Sequence, residues 1–180
     1  MRISRENTVG LMIDIQERLF PVMHEKETLL KNCKILIQGL AVHKVPLVVT
    51  QQYTRGLGET LPEISSLIAD FKYIEKTDFS CYDVAEVREQ LAESKAKNII
   101  LFGIESHVCV LQTAVDMKAA GLNPIVIMDA VSSRTPQNID LAKERYRHEE
   151  IMMTSYESLL FELTRKAGTE EFKAISKLVK

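Results

Sequence analysis

Residues 99–121, IILFGIESHVCVLQTAVDMKAAG, decide the fold. The opening run is apolar without interruption up to Gly103, which suits a strand buried on both faces of a parallel sheet. A short polar turn follows, and apolar residues then recur at helical spacing until Gly121. Ser106 reads as the N-cap of that helix and Gly121 as its C′ glycine. With Ser106 as cap, Cys109 is the third helical residue, beside backbone N–H groups that have no partner inside the helix. The positive end of a helix favours thiolate over thiol, so a pKa of about 8.5 for a free cysteine is expected to fall there. A cysteine on such a strand–turn–helix is a candidate nucleophile. The alternative is a small buried apolar group, and helical periodicity alone does not separate the two.

The same pattern repeats outward along the chain. Apolar, β-rich runs occur at TVGLMID (8–14), PLVVTQ (46–51), FKYIEK (71–76), NPIVIMDA (123–130) and EIMMTS (150–155). Between most of them lie helical spacings: LLKNCKILIQGLAVHK, DVAEVREQLAESK and NIDLAKERY, with ESLLFELTRKAG and TEEFKAISKLVK closing the chain. Strands alternating with helices predict βαβ units and a parallel sheet covered on both faces. With 180 residues, no repeat and no linker long enough to divide it, the chain reads as one domain, 1–180.

Composition narrows the function classes. Hydrophobic residues make up 46% and charged residues 27%, with a net charge of −2. A pI of about 6.1 leaves no electrostatic footprint for nucleic acid or an anionic membrane. The runs KERYRHEE and KAGTEEFK mix both signs and read as solvated helix faces. No apolar run reaches the roughly 18–20 residues of a membrane span, and MRISRENTVGLMIDIQ lacks the order of a signal peptide. Three cysteines, Cys33, Cys81 and Cys109, make no complete disulfide framework, so a reducing, cytoplasmic setting is expected. No GxGxxG follows the first strand and no GxxxxGK[ST] occurs, so no nucleotide cofactor is expected.

Ligands of open parallel sheets bind beyond the carboxyl ends of the strands. Asp14, Gln16, Gln51, Gln52, Lys76, Cys109 and Asp129 stand at or just after predicted strand ends. Asp14 and Lys76 are each ordinary as isolated residues, one a loop cap and the other solvated. Together with Cys109 they have a chemical logic: a carboxylate accepts the thiol proton and an ammonium holds both anions. His24, His43 and His148 read as surface or packing residues. His107 is nearer, but adjacency in sequence does not aim its ring at Cys109.

The segments VGLMIDIQERLF, PLVVTQQYTRGLGETLPEI, EKTDFSCYD, GIESHVCVLQTAVDM and VIMDAVSSRT come in the order and spacing of a known family. The chain resembles the isochorismatase-like cysteine hydrolases nearly end to end. Its second segment is most similar to the branch called isochorismatase-domain-containing proteins. The resemblance implies a three-layer α/β/α sandwich on a mostly parallel six-stranded sheet, in the order 3-2-1-4-5-6. It implies a catalytic trio of Asp14, Lys76 and Cys109. It further implies a non-proline cis peptide at Ile104–Glu105, with the backbone N–H groups of Glu105 and Cys109 forming an oxyanion hole.

One departure bears on subclass. Nicotinamidases of this superfamily bind a metal through Asp-x-His after the second strand, where this chain has Gln52 and Thr54. Neither is a carboxylate or imidazole, so no catalytic metal is expected. Some relatives that hydrolyse isochorismate lack the cysteine, so its presence here points toward acyl chemistry on an amide or related carbonyl. Alternatives stay open: vinyl-ether hydrolysis of the isochorismatase type, a catalytically silent binding module, or a redox sensor in which Cys81 resolves an oxidised Cys109. Phe20, Tyr53, Phe79 and His107 are candidate substrate-pocket residues, each equally readable as packing. The expected partners are a small-molecule substrate and further copies of the chain.

Overall fold

The computed structural model describes residues 2–180. In chain order it has β1 (Thr8–Ile13), α1 (Lys26–Val42), β2 (Leu47–Gln52), the short α2 (Thr54–Leu57) and α3 (Pro62–Ser65), and β3 (Ile74–Lys76). Then come α4 (Ala85–Ser94), β4 (Asn98–Ile104), a π-helical turn (Ser106–Val110) that runs into α5 (Leu111–Ala119), and β5 (Asn123–Ser132). The chain ends with α6 (Pro136–His148), β6 (Met152–Thr154), α7 (Tyr156–Thr164) and α8 (Glu170–Leu178). All six strands pair in parallel, in the order β3-β2-β1-β4-β5-β6. This is the expected α/β sandwich and strand order.

Alternation along the strands divides the core into two layers. Met12 of β1 with Ile100, Phe102 and Ile104 of β4 packs against α1, α7 and α8. Val9, Leu11 and Ile13 of β1, with Ile99 and Leu101 of β4, face α4, α5 and α6. Successive side chains of a strand point to opposite faces, so a strand covered on both sides must be apolar at every position. The central strands β1 and β4 are buried throughout.

Two expected strands differ in length. The run at 71–76 pairs only over Ile74–Lys76, because Phe71 turns to pack against the α1-side core. β5 continues past residue 130 to Ser132, with a register shift against β4 between Leu101 and Gly103. Gly103 stands at that irregularity with φ +118, and a Cβ there would lie 2.1 Å from Ile13 O. The carboxyl ends of β1 and β4 therefore approach more closely than any side chain allows. Gly103→Ala is expected to lower stability by roughly 2–4 kcal/mol, read from denaturant midpoints, through φ strain and overpacking.

His43 closes α1 against α7. Its Nε2 lies 3.2 Å from Leu160 O and 3.1 Å from Thr164 Oγ1, while Nδ1 is buried without a partner. Burial holds its pKa below the usual imidazole value, although the Leu160 carbonyl opposes this. A base with a lowered folded-state pKa contributes fully above its unfolded value, about 6.5 for histidine, and that contribution is lost as pH falls below it. Urea midpoints should therefore drop between pH 7.5 and 5.5, and His43→Gln should flatten that slope.

Candidate active site

The carboxyl ends of β1, β2, β3 and β4 meet at one buried polar cluster. Asp14 follows β1 in a left-handed conformation, φ 55, which aspartate tolerates better than most residues. Its Oδ1 accepts from Thr50 Oγ1 at 2.8 Å, and its Oδ2 lies 2.6 Å from Lys76 Nζ. Neither side chain of that ion pair has solvent-accessible area. Lys76, at the end of β3, also donates to Gln52 Oε1 at 2.6 Å and Asp78 O at 3.1 Å. Its Nζ stands 3.7 Å from Cys109 Sγ. The three residues that the sequence singled out are thus brought together.

Glutamines hold the cluster in register. Gln16 Oε1 accepts from the Gln52 N–H at 2.7 Å, while Gln16 Nε2 donates to Gln52 O at 3.0 Å and Gly58 O at 2.7 Å. The side-chain amide imitates a strand and prolongs the β1–β2 pairing just where β1 turns aside. Gln52 Nε2 donates to Thr77 O at 2.8 Å, which leaves its amide oxygen facing Lys76. Gln51 instead organises the following loop, accepting from Thr60 N–H and Oγ1 and donating to Thr54 Oγ1.

The turn bearing Cys109 differs from the expected α-helical start. Ser106 lies inside the π turn, and Glu105, with extended backbone, takes the preceding position. Ser106 cannot cap because its Oγ is buried 3.2 Å from Tyr146 Oη. Cys109 is consequently the fourth residue of a wide turn, not the third of an α-helix. The Ile104–Glu105 peptide is cis. The Glu105 N–H has no acceptor among the described residues, and its side chain pairs with Arg134 Nε at 3.1 Å. At the far end Gly121, φ 80, donates to Lys118 O and Leu122 donates to Met117 O, both at 3.0 Å. Those two bonds make Gly121 the C′ residue of a Schellman motif, as its position suggested.

The electrostatics correct the expectation of a preformed thiolate. Burial, then the charge of Asp14, pushes the Cys109 thiol up to about 12, with Lys76 opposing. Cys109 is only 7% exposed, and lost hydration outweighs the helix end. Burial also raises the Asp14 carboxyl, against the pull of Lys76 and Thr50. For Lys76, burial works against the ammonium and is the largest single influence, yet Asp14 together with Cys81 and Cys109 outweighs it and the pKa is raised. Lys76 and Asp14 thus lie at ion-pair distance beside a thiol that burial disposes to keep its proton, and the same burial makes the Asp14 carboxyl more basic than a surface one.

Other expected residues are placed differently. Asp129 faces away, accepting from the Tyr156 N–H at 2.9 Å at the start of α7. His107 Nδ1 lies 2.9 Å from Ser133 Oγ, so its ring engages β5's end and not Cys109. Phe20 packs half-buried against the core. Tyr53 and Phe79, just after β2 and β3, are 51% and 55% exposed and are the two pocket candidates free to meet a ligand. Cys81 is fully buried behind the pair, 3.7 Å from Thr50 Oγ1, its thiol pushed up by burial to about 11. Among the described residues no group of three or more His, Cys, Asp and Glu could hold a metal ion.

Thr50 and Tyr146 are not among the residues to which the sequence pointed. Thr50 lies in an apolar run, and only the strand register places it against Asp14. Tyr146 sits in KERYRHEE, yet it is fully buried; its spacing of four from Ala142 was the available signal.

The Isochorismatase domain family model matches residues 8–158. The chain is 38% identical over 184 residues to the secreted isochorismatase effector Isc1 of Phytophthora sojae, covering 99% of this chain and 87% of that protein. In three dimensions it resembles the MAR1 ribonuclease of Caenorhabditis elegans, with TM-score 0.93, 32% identity and coverage of 99% and 92%. It has the fold of the Escherichia coli YcaC gene product, described as an octameric hydrolase of unknown specificity, with TM-score 0.93, 19% identity and coverage of 99% and 89%. Among the described residues no helix is long and apolar enough to cross a membrane.

The charge balance predicts opposite effects of two substitutions on Cys109 alkylation rate against pH. Asp14→Asn removes the anion that holds the proton on sulfur, so the curve moves to lower pH. Lys76→Met removes the opposing cation and moves it higher.

Proposed function

The chain belongs to the isochorismatase family of hydrolases, and we propose that it is a metal-independent cysteine hydrolase cleaving a small-molecule amide or related C–N bond. The observation that carries this reading is the Lys76 ammonium, buried 2.6 Å from the Asp14 carboxylate and 3.7 Å from the Cys109 sulfur. That arrangement supplies a base, a nucleophile and a fixed counter-charge in one dry site.

In the proposed cycle Asp14 takes the Cys109 proton as the sulfur attacks the substrate carbonyl, so no free thiolate accumulates. Lys76 balances the negative charge while it passes from carboxylate to sulfur to substrate oxygen. The oxyanion is received by the N–H groups of Glu105 and Cys109, and the Glu105 N–H has no other acceptor among the described residues. Protonated Asp14 returns its proton to the leaving nitrogen as the C–N bond breaks, leaving a thioester on Cys109. Water then attacks the thioester; Asp14 accepts one of its protons and passes it to the departing sulfur, restoring the thiol. Tyr53 and Phe79, exposed beside the site, are suited to contact an apolar or planar group of the substrate. The same reading takes residues 1–180 as one domain, acting as a homo-oligomer in a cytoplasm reducing enough to keep three unpaired thiols.

The test is turnover of small amides, N-carbamoyl compounds, isochorismate and RNA by wild type and Cys109→Ala. Hydrolysis of an amide or carbamoyl compound that Cys109→Ala loses, with an acyl adduct on Cys109 by mass spectrometry, supports the reading. Undiminished turnover by Cys109→Ala, or turnover confined to isochorismate or RNA, overturns it. Asp14→Asn should lower kcat about 10²–10⁴-fold, the usual worth of a positioned general base, despite easing thiol ionisation. The double variant with Cys109→Ala should be no worse than Cys109→Ala alone.

A further inference from the structure

Helix α6 buries only two of its side chains, Ala142 and Tyr146. Tyr146 is completely inaccessible, and burying a phenol costs free energy unless its hydroxyl is hydrogen-bonded. Here the hydroxyl reaches across to the turn bearing Cys109. It donates to Ser106 O at 2.5 Å and lies 3.2 Å from Ser106 Oγ. A phenylalanine would fill the same volume, so packing alone does not explain the oxygen.

The backbone supplies the reason. In an α-helix the Ser106 carbonyl would accept from the N–H four residues on, that of Val110. In this turn the Val110 N–H instead reaches one residue further back, to Glu105 O at 3.2 Å. The wide turn therefore takes the Val110 N–H from Ser106 O, the Leu111 N–H that a π turn would offer is directed to Val108 O, and the Tyr146 hydroxyl donates to the carbonyl instead. Single π turns inserted at the start of a helix recur at functional sites. Cys109 lies within this one, its sulfur set against Lys76.

We propose that Tyr146 is a positioning residue for Cys109, its hydroxyl holding the Ser106 carbonyl so that the turn stays wide and the sulfur stays beside the Lys76–Asp14 pair. The inference rests on the reading of Cys109 as nucleophile for its effect on turnover, but not for its effect on the thiol. Without the hydroxyl, the turn satisfies Ser106 O by drawing in the Val110 N–H. That tightening rotates Cys109 about the helix axis and away from the carboxylate.

Tyr146→Phe keeps the ring and removes only the oxygen. The expected result is a folded protein with cooperative unfolding whose Cys109 alkylation curve has moved to lower pH, because the lost influence of Asp14 outweighs that of Lys76, while kcat falls at least tenfold with little change in KM. The further substitution Asp14→Asn, which shifts the curve in the wild-type background, should shift it no more in Tyr146→Phe. Ser106→Ala, which leaves the carbonyl contact intact, should keep the wild-type curve. A Tyr146→Phe protein that is merely less stable, with the wild-type curve and the full response to Asp14→Asn, overturns the proposal. Turnover surviving in Cys109→Ala would defeat the hydrolase reading by itself, and the alkylation curves would still decide the role of Tyr146.

Discussion

The Lys76–Asp14 pair, 2.6 Å apart with both side chains sealed from solvent, is the interaction on which the rest of the site depends. Two charges taken out of water are tolerated only with close contact and with their remaining hydrogen-bonding capacity satisfied; losing one partner typically costs about 3–5 kcal/mol. The surroundings meet most of that demand, leaving Asp14 Oδ2 with Lys76 alone as its partner. Thr50 serves Asp14, while Gln52 and the Asp78 carbonyl serve Lys76. Each of these partners comes from the carboxyl end of a strand or the loop just after it, so the parallel sheet is what makes the pair possible. Five polar groups converge there because β1, β2 and β3 end at the same level.

The pair also sets the state of the thiol beside it. A cation alone would draw the proton off Cys109; a cation already balanced by a carboxylate does not, and burial then keeps sulfur neutral. The Asp14 carboxyl is made more basic by the same burial, which is the property the proposed proton transfer from Cys109 requires. A neutral resting thiol suits a cysteine that is only 7% exposed.

Much of this was legible in the residues. The uninterrupted apolar runs of β1 and β4 and the helical spacings between strands led to the parallel sandwich, because burial on both faces leaves no room for polar residues. Asp14, Lys76 and Cys109 were legible as chemistry-bearing residues at strand ends. Less legible was anything set by register or by competition between weak effects. Ser106 carries the signature of an N-cap, but a buried hydroxyl from a helix forty residues away engages it first. The helix end suggested an acidic thiol, but desolvation and a neighbouring carboxylate outweigh a dipole. Gln16 and Gln52 read as strand-end polar residues, and only the folded register reveals one amide clamping the other's backbone.

The central claim is that the resting protein holds Lys76 and Asp14 charged and Cys109 as a thiol, with the proton moving to Asp14 only during attack. Infrared difference spectroscopy of wild type against Cys109→Ala and Asp14→Asn at neutral pH tests it most directly. The account predicts an S–H stretch assignable to Cys109 together with the bands of an ionised Asp14 carboxylate. A resting thiolate accompanied by a protonated Asp14 would contradict it.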